Sequence, residues 1–141
     1  MTRLSNGVRL VDDSYNASPA AMRAMLAALA ATPATGRRVA VLGEMLELGG
    51  SSRALHETCG RAAAEAGVDE LIVIGGSSAD GLVDGAVAAG LVRARVHRFA
   101  DSASALADVP RLVRGGDLVL VKGSRGTRTD LVADRLKEVA G

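Results

Sequence analysis

Three short apolar runs constrain this chain more than any other feature. They are Val39-Ala40-Val41-Leu42, Leu71-Ile72-Val73-Ile74 and Leu118-Val119-Leu120-Val121. A strand with one wet face alternates apolar and polar residues; a run without alternation belongs to a strand buried on both faces. A helical stretch follows each run. After 39–42, a loop through Gly49-Gly50 leads to a predicted helix over 52–66, with Gly67 placed just past its end. After 71–74 and Gly75-Gly76 comes a helix over 80–89 with a glycine inside it. After 118–121 comes a helix over 129–139. A strand over 95–99 precedes a weaker helix over 102–113, interrupted by Pro110.

The start of the chain adds one more unit. Asn6-Gly7 between short apolar stretches predicts a hairpin, followed by a strand over 8–12. Ser18 is a natural helix cap and Pro19 a natural first helical residue. Met22, Met25, Leu26 and Leu29 then recur at helical spacing, so a helix runs over 19–31 until Thr32-Pro33-Ala34-Thr35-Gly36 breaks it. Strand followed by helix, five times over, predicts a Rossmann-like α/β domain. Its sheet is mostly parallel, with helices on both faces and a short N-terminal β-hairpin. The expected domain organisation is one unit over 1–141.

Composition narrows the function classes. Hydrophobic residues are 48% and charged residues 23%, which excludes a disordered chain. The formal net charge of +1 leaves no electrostatic footprint for nucleic acid or an anionic membrane. No apolar run approaches the roughly 20 residues of a membrane span, and no secretory signal opens the chain. The single cysteine, Cys59, excludes an internal disulfide and fits a reducing compartment. The expectation is a soluble cytoplasmic domain.

In a parallel α/β sheet, ligands bind beyond the carboxyl ends of the strands. That directs attention to 12–16, 43–47, 75–78, 100–102 and 122–128. The first segment holds Asp12, Asp13, Ser14, Tyr15 and Asn16, including the only tyrosine. Two adjacent carboxylates there suit either a divalent cation or the hydroxyls of a ribose; a polar turn that caps a helix is the plain alternative. The last segment, Lys122-Gly123-Ser124-Arg125-Gly126-Thr127-Arg128, sets three cations beside a helix start. Lys122 and Arg125, with the Ser124 hydroxyl, suit a carboxylate or phosphate; a solvated basic loop is the alternative. Glu44, directly after a buried strand, suits an ammonium or a cation, or is simply a loop charge. His56 and Cys59 share a helix face but do not make a metal site, and His56 reads as a packed or hydrogen-bonded residue. No Walker A loop occurs in the sequence. The layout is similar to a phospho-receiver domain, but the middle strand ends in Gly75-Gly76 with no phosphoacceptor Asp. What remains is a ligand-binding domain of a larger ATP enzyme, or a stand-alone nucleotide- or anion-binding module without catalytic activity.

Four stretches in order, "VDDSYNASPAAM", "VAVLGEMLELG", "LHETCG" and "LVKGSRGTRTDLV", resemble the C-terminal domain of the Mur ligases. They resemble most the branch that adds D-Ala-D-Ala to UDP-N-acetylmuramoyl-tripeptide in peptidoglycan synthesis. Ser18 stands where the family usually has Asn, and both residues cap helices. The resemblance implies a three-domain ATP-dependent ligase, with ATP and Mg2+ as cofactors of the whole enzyme. The missing N-terminal and central domains would be this domain's partners. The family reaction turns the tripeptide carboxylate into an acyl phosphate, which the amine of D-Ala-D-Ala then attacks. By resemblance Asp13, Tyr15 and Asn16 face ATP, while Lys122, Ser124 and Arg125 approach the incoming dipeptide. Glu44 matches an acidic position after the second buried strand. No catalytic residue and no metal ligand is expected within this chain, so the fragment alone is expected to be inactive.

Overall fold

A computed structural model describes residues 1–14, 18–46, 48–123 and 126–140. In chain order the elements are β1 (Thr2–Arg3), β2 (Arg9–Asp13), α1 (Pro19–Ala31), β3 (Arg38–Gly43), α2 (Ser52–Glu65), β4 (Glu70–Ile74) and α3 (Asp80–Ala88). They continue with β5 (Val96–Phe99), α4 (Ser102–Ala105), α5 (Val109–Leu112), β6 (Leu118–Lys122) and α6 (Asp130–Ala140). The six strands form one sheet in the order β1-β2-β6-β3-β4-β5. All neighbours are parallel except β1 and β2, which pair antiparallel through the expected hairpin. In its turn the Val8 N–H donates to Asn6 Oδ1 at 3.1 Å. Gly7 there takes φ +86°, a conformation glycine adopts without a Cβ penalty.

The alternation hidden inside the apolar runs becomes visible in the packing. Ala40, Leu42, Leu71, Val73, Leu118 and Leu120 face one side of the sheet, where α1, α2 and α3 lie. Val39, Val41, Ile72, Ile74, Val119 and Val121 face the other, under α4, α5 and α6. Each central strand is thus apolar on both faces because each face has its own helix layer. Ser18 caps α1 as expected, its Oγ accepting the Ala21 N–H at 3.2 Å with Pro19 opening the helix. The helix predicted over 102–113 is instead two short helices. Pro110 has no N–H to give to a continuing helix, so it sits in the first turn of a new one.

Two further features hold the scaffold rigid. The α2–α3 seam is built on glycines: a Cβ at Gly85 would stand 1.9 Å from the Glu57 carbonyl oxygen, and one at Gly60 would stand 2.1 Å from that of Leu82. At the amino ends of the strands, the Arg37 guanidinium grips Asp117 at 2.8 and 3.3 Å and reaches Glu70 at 3.2 Å. Glu70 also meets Arg95 at 3.2 Å and His97 Nε2 at 2.7 Å. His97 thus belongs to this clamp. The clamp ties the starts of β3, β4, β5 and β6 together and leaves the opposite end of the sheet for ligands.

Candidate functional site at the carboxyl ends of the strands

The strand order sets where a crevice opens. β6 lies between β2 and β3, yet its following helix, α6, covers the opposite face from α1 and α2. Chains leaving adjacent strands therefore diverge on either side of β6, the arrangement in which α/β sheets bind ligands. At this place β2 ends in Asp13 and β6 in Lys122, directly opposite each other in register.

These two residues form an ion pair, with Lys122 Nζ 2.6 Å from Asp13 Oδ2. Only 3% of the Lys122 side chain is exposed, against 36% for Asp13. The buried ammonium holds one carboxylate oxygen, and the other has no hydrogen bond among the described residues. Lys122 therefore acts first on Asp13 rather than standing as an open anion ligand. Asp12 behaves differently. Neighbouring strand residues point to opposite faces, and Asp12 reaches Lys137 of α6 at 3.6 Å. The adjacent carboxylates diverge, each toward its own lysine, so the pair does not form the divalent-cation site that their sequence adjacency suggested. No cluster of three or more His, Cys, Asp or Glu side chains suited to a metal occurs among the described residues.

The floor of the crevice is tight backbone. A Cβ at Gly123 would come within 2.1 Å of Thr129 Oγ1, and one at Gly43 within 2.7 Å of Thr127 Oγ1. The ends of β3 and β6 are thus seated directly against the segment that leads into α6. Ser102 Oγ donates to the Thr127 carbonyl at 2.6 Å and holds that segment from α4. Arg128 takes φ +53°, and its guanidinium grips both Asp130 oxygens at 3.0 Å. That grip holds the Asp130 carboxyl below the usual carboxylate range. The buried hydroxyls of Ser14 and Thr129 have no hydrogen-bond partner among the described residues. Their chemistry suits polar ligand atoms or water at the crevice. The sequence places Ser14 in the candidate cluster beside Asp13 without a role of its own, whereas Thr129 is signalled only by its place at a helix start.

Glu44 is placed away from the Asp13–Lys122 pair. Its Oε2 accepts the Ser78 N–H at 3.1 Å, in the turn that opens α3. Gly75, at φ +143°, lies so close that its Cβ would stand 2.4 Å from Glu44 Cβ. The carboxylate occupies a helix N-terminus where an anionic ligand would otherwise be favoured. Its observed contact is a brace between β3 and α3. Asp101 is likewise committed, accepting the Ser104 N–H at 2.7 Å to start α4. Of the other sequence candidates, Tyr15, Asn16, Ser124 and Arg125 lie outside the described residues. A cavity of about 540 Å³ opens elsewhere, between α4 and α6 beside Leu106 and Leu131.

Comparison with known proteins adds to this geometry. The family model for the Mur ligase, glutamate ligase domain, matches residues 1–125. The chain belongs to that Mur ligase family. The UDP-N-acetylmuramoyl-tripeptide–D-alanyl-D-alanine ligase of Mycobacterium leprae (strain TN) is 39% identical over 96% of this chain and 29% of its own length. The ligase of the same name from Escherichia coli (strain K12) is 35% identical over 96% of this chain and 28% of its own length. Solved structures are similar as well. MurF ligase from Thermotoga maritima in complex with ADP gives a TM-score of 0.74 at 30% identity, over 94% of this chain and 28% of that one. MurF from Acinetobacter baumannii gives 0.75 at 34%, over 92% and 28%. This Mur ligase domain therefore spans about three tenths of the length of the curated relatives it matches.

Proposed function

We propose that this Mur ligase domain is the C-terminal part of an ATP-dependent ligase that joins D-Ala-D-Ala to UDP-N-acetylmuramoyl-tripeptide in the cytoplasm. The observation that carries the reading is the Asp13–Lys122 pair at the β2–β6 crevice. The names borne by the relatives supply the reaction class, and the ADP complex of the Thermotoga maritima relative supports a nucleotide.

In this reading the domain positions and does not itself transfer groups. Lys122 fixes Asp13 so that its free oxygen accepts hydroxyl hydrogen bonds from the nucleotide's ribose, with Tyr15 and Asn16 beside it. Holding the acceptor in place beforehand lowers the ordering cost of binding. Ser124 and Arg125 receive the carboxylate of the dipeptide, a pairing Arg makes through two parallel hydrogen bonds. The tripeptide carboxylate attacks the terminal phosphate of ATP, releasing ADP and forming an acyl phosphate. The dipeptide amine then displaces phosphate and forms the amide. Closing this domain over the other two excludes water from the acyl phosphate. Any Mg2+ the reaction uses does not fit the described residues of this chain, because Asp12 and Asp13 diverge.

The test is phosphate release by the full-length protein with ATP, Mg2+, UDP-N-acetylmuramoyl-tripeptide and D-Ala-D-Ala, omitting each in turn. Release should need all four, and the 141-residue chain alone should release none above background. Turnover by the isolated chain, or release indifferent to D-Ala-D-Ala, would refute the reading.

A further inference from the structure

His56 is completely buried on α2, at 0% exposure. Its ring lies between two backbone groups. Nε2 is 2.8 Å from the Met45 nitrogen, and Nδ1 is 2.6 Å from the Ser52 carbonyl oxygen. A carbonyl only accepts, so Nδ1 carries the proton. A backbone N–H only donates, so Nε2 offers its lone pair. The neighbours fix one neutral tautomer, and with both nitrogens engaged the ring is not placed to shuttle protons.

The bond reaches one particular loop. Residues 44 and 45 follow β3 directly, and two different helices hold them. Glu44 is bound at the α3 N-terminus through Ser78, and Met45 is bound by His56 from α2. Those helices are locked together by the glycine seam, in which a Cβ at Gly81 would stand 2.8 Å from His56 Cβ. Gly43, one residue upstream, backs onto Thr127 and Thr129, which lead into α6. A continuous path of contacts runs from the α2–α3 platform through His56, Met45 and Gly43 to the segment after β6.

We propose that His56 is a positioning residue for the amine-binding side of the site, seating the end of β3 against Thr127 and Thr129, which lead from the proposed D-Ala-D-Ala loop into α6. This rests on the proposed function for the identity of the amine.

The test uses the full-length ligase and two variants. His56→Leu keeps the apolar volume but removes the acceptor; His56→Gln restores an acceptor at a similar reach. Losing the His56 acceptor of a buried N–H should speed amide exchange at Met45 by about tenfold or more in His56→Leu. The KM for D-Ala-D-Ala should rise by about tenfold, with the KM for ATP changed less than about twofold. His56→Gln should bring both readouts back to within about threefold of wild type. A wild-type KM for the dipeptide in His56→Leu, equal rises in both KM values, or failure of Gln to rescue would overturn the proposal. If the wild-type protein does not use D-Ala-D-Ala, the proposed function fails instead. Met45 exchange then decides whether the strap exists, and unchanged exchange in His56→Leu overturns it.

Discussion

Lys122 Nζ stands 2.6 Å from Asp13 Oδ2, although 109 residues separate the two in sequence. The pair is asymmetric, because its cation is buried and its anion is about one-third exposed. Removing the anion leaves a buried charge without compensation, whereas removing the cation leaves a carboxylate that water can reach. Asp13→Ala should therefore destabilise by roughly 2–4 kcal/mol, and Lys122→Met by about 1 kcal/mol or less. Urea unfolding of the two variants checks the order. Equal losses would show that the ammonium is solvated in solution.

Glycine in an exposed helix usually gains about 1 kcal/mol when replaced by alanine. Gly85 should do the reverse, because its Cβ would meet the Glu57 carbonyl oxygen at 1.9 Å. Gly85→Ala should cost about 2–3 kcal/mol by forcing α2 and α3 apart. Gly90, whose Cβ would meet nothing within 4 Å but whose φ is +110°, serves as the comparison: any loss there reflects backbone strain alone. Thermal melts of both variants separate the two causes.

Burial pushes the Cys59 thiol from its usual value of 9.0 up to about 11, with Arg23 opposing only weakly. The folded protein thus favours the neutral thiol. Its contribution is fully present below pH 9 and is lost as the pH rises toward 11, because the unfolded chain ionises first. Wild type should lose more stability than Cys59→Ala between about pH 7 and pH 10.5. Urea midpoints at the two pH values measure this, and parallel losses in both proteins would contradict it. Thiol labelling of the folded protein should also be slow, and limited by opening of the α1–α2 layer.

The layered fold was legible because it depends on local pattern. Apolar runs, a Ser18-Pro19 helix start and an Asn6-Gly7 turn each state their structure within a few residues. The two glycines within the helix over 80–89, Gly81 and Gly85, are explained by a seam that only the partner helix reveals. The site was legible in place but not in its wiring. Alternation of strand and helix does not say that β6 inserts between β2 and β3, and only that order brings Lys122 to Asp13. Glu44 looked like a ligand because β3 ends there; its partner, the Ser78 N–H, becomes visible once β4 is known to lie alongside. Asp12 and Asp13 looked like a pair because sequence adjacency hides the two faces of a strand. His56, read as packed or hydrogen-bonded, is both.

The central claim is that one end of this sheet serves two ligands through two separate segments. The most direct measurement is a pair of KM values for each of two variants of the full-length ligase. Asp13→Ala should raise the KM for ATP by about tenfold, with little change for D-Ala-D-Ala, and Arg125→Ala should do the opposite. Equal effects of each variant on both substrates would contradict that division.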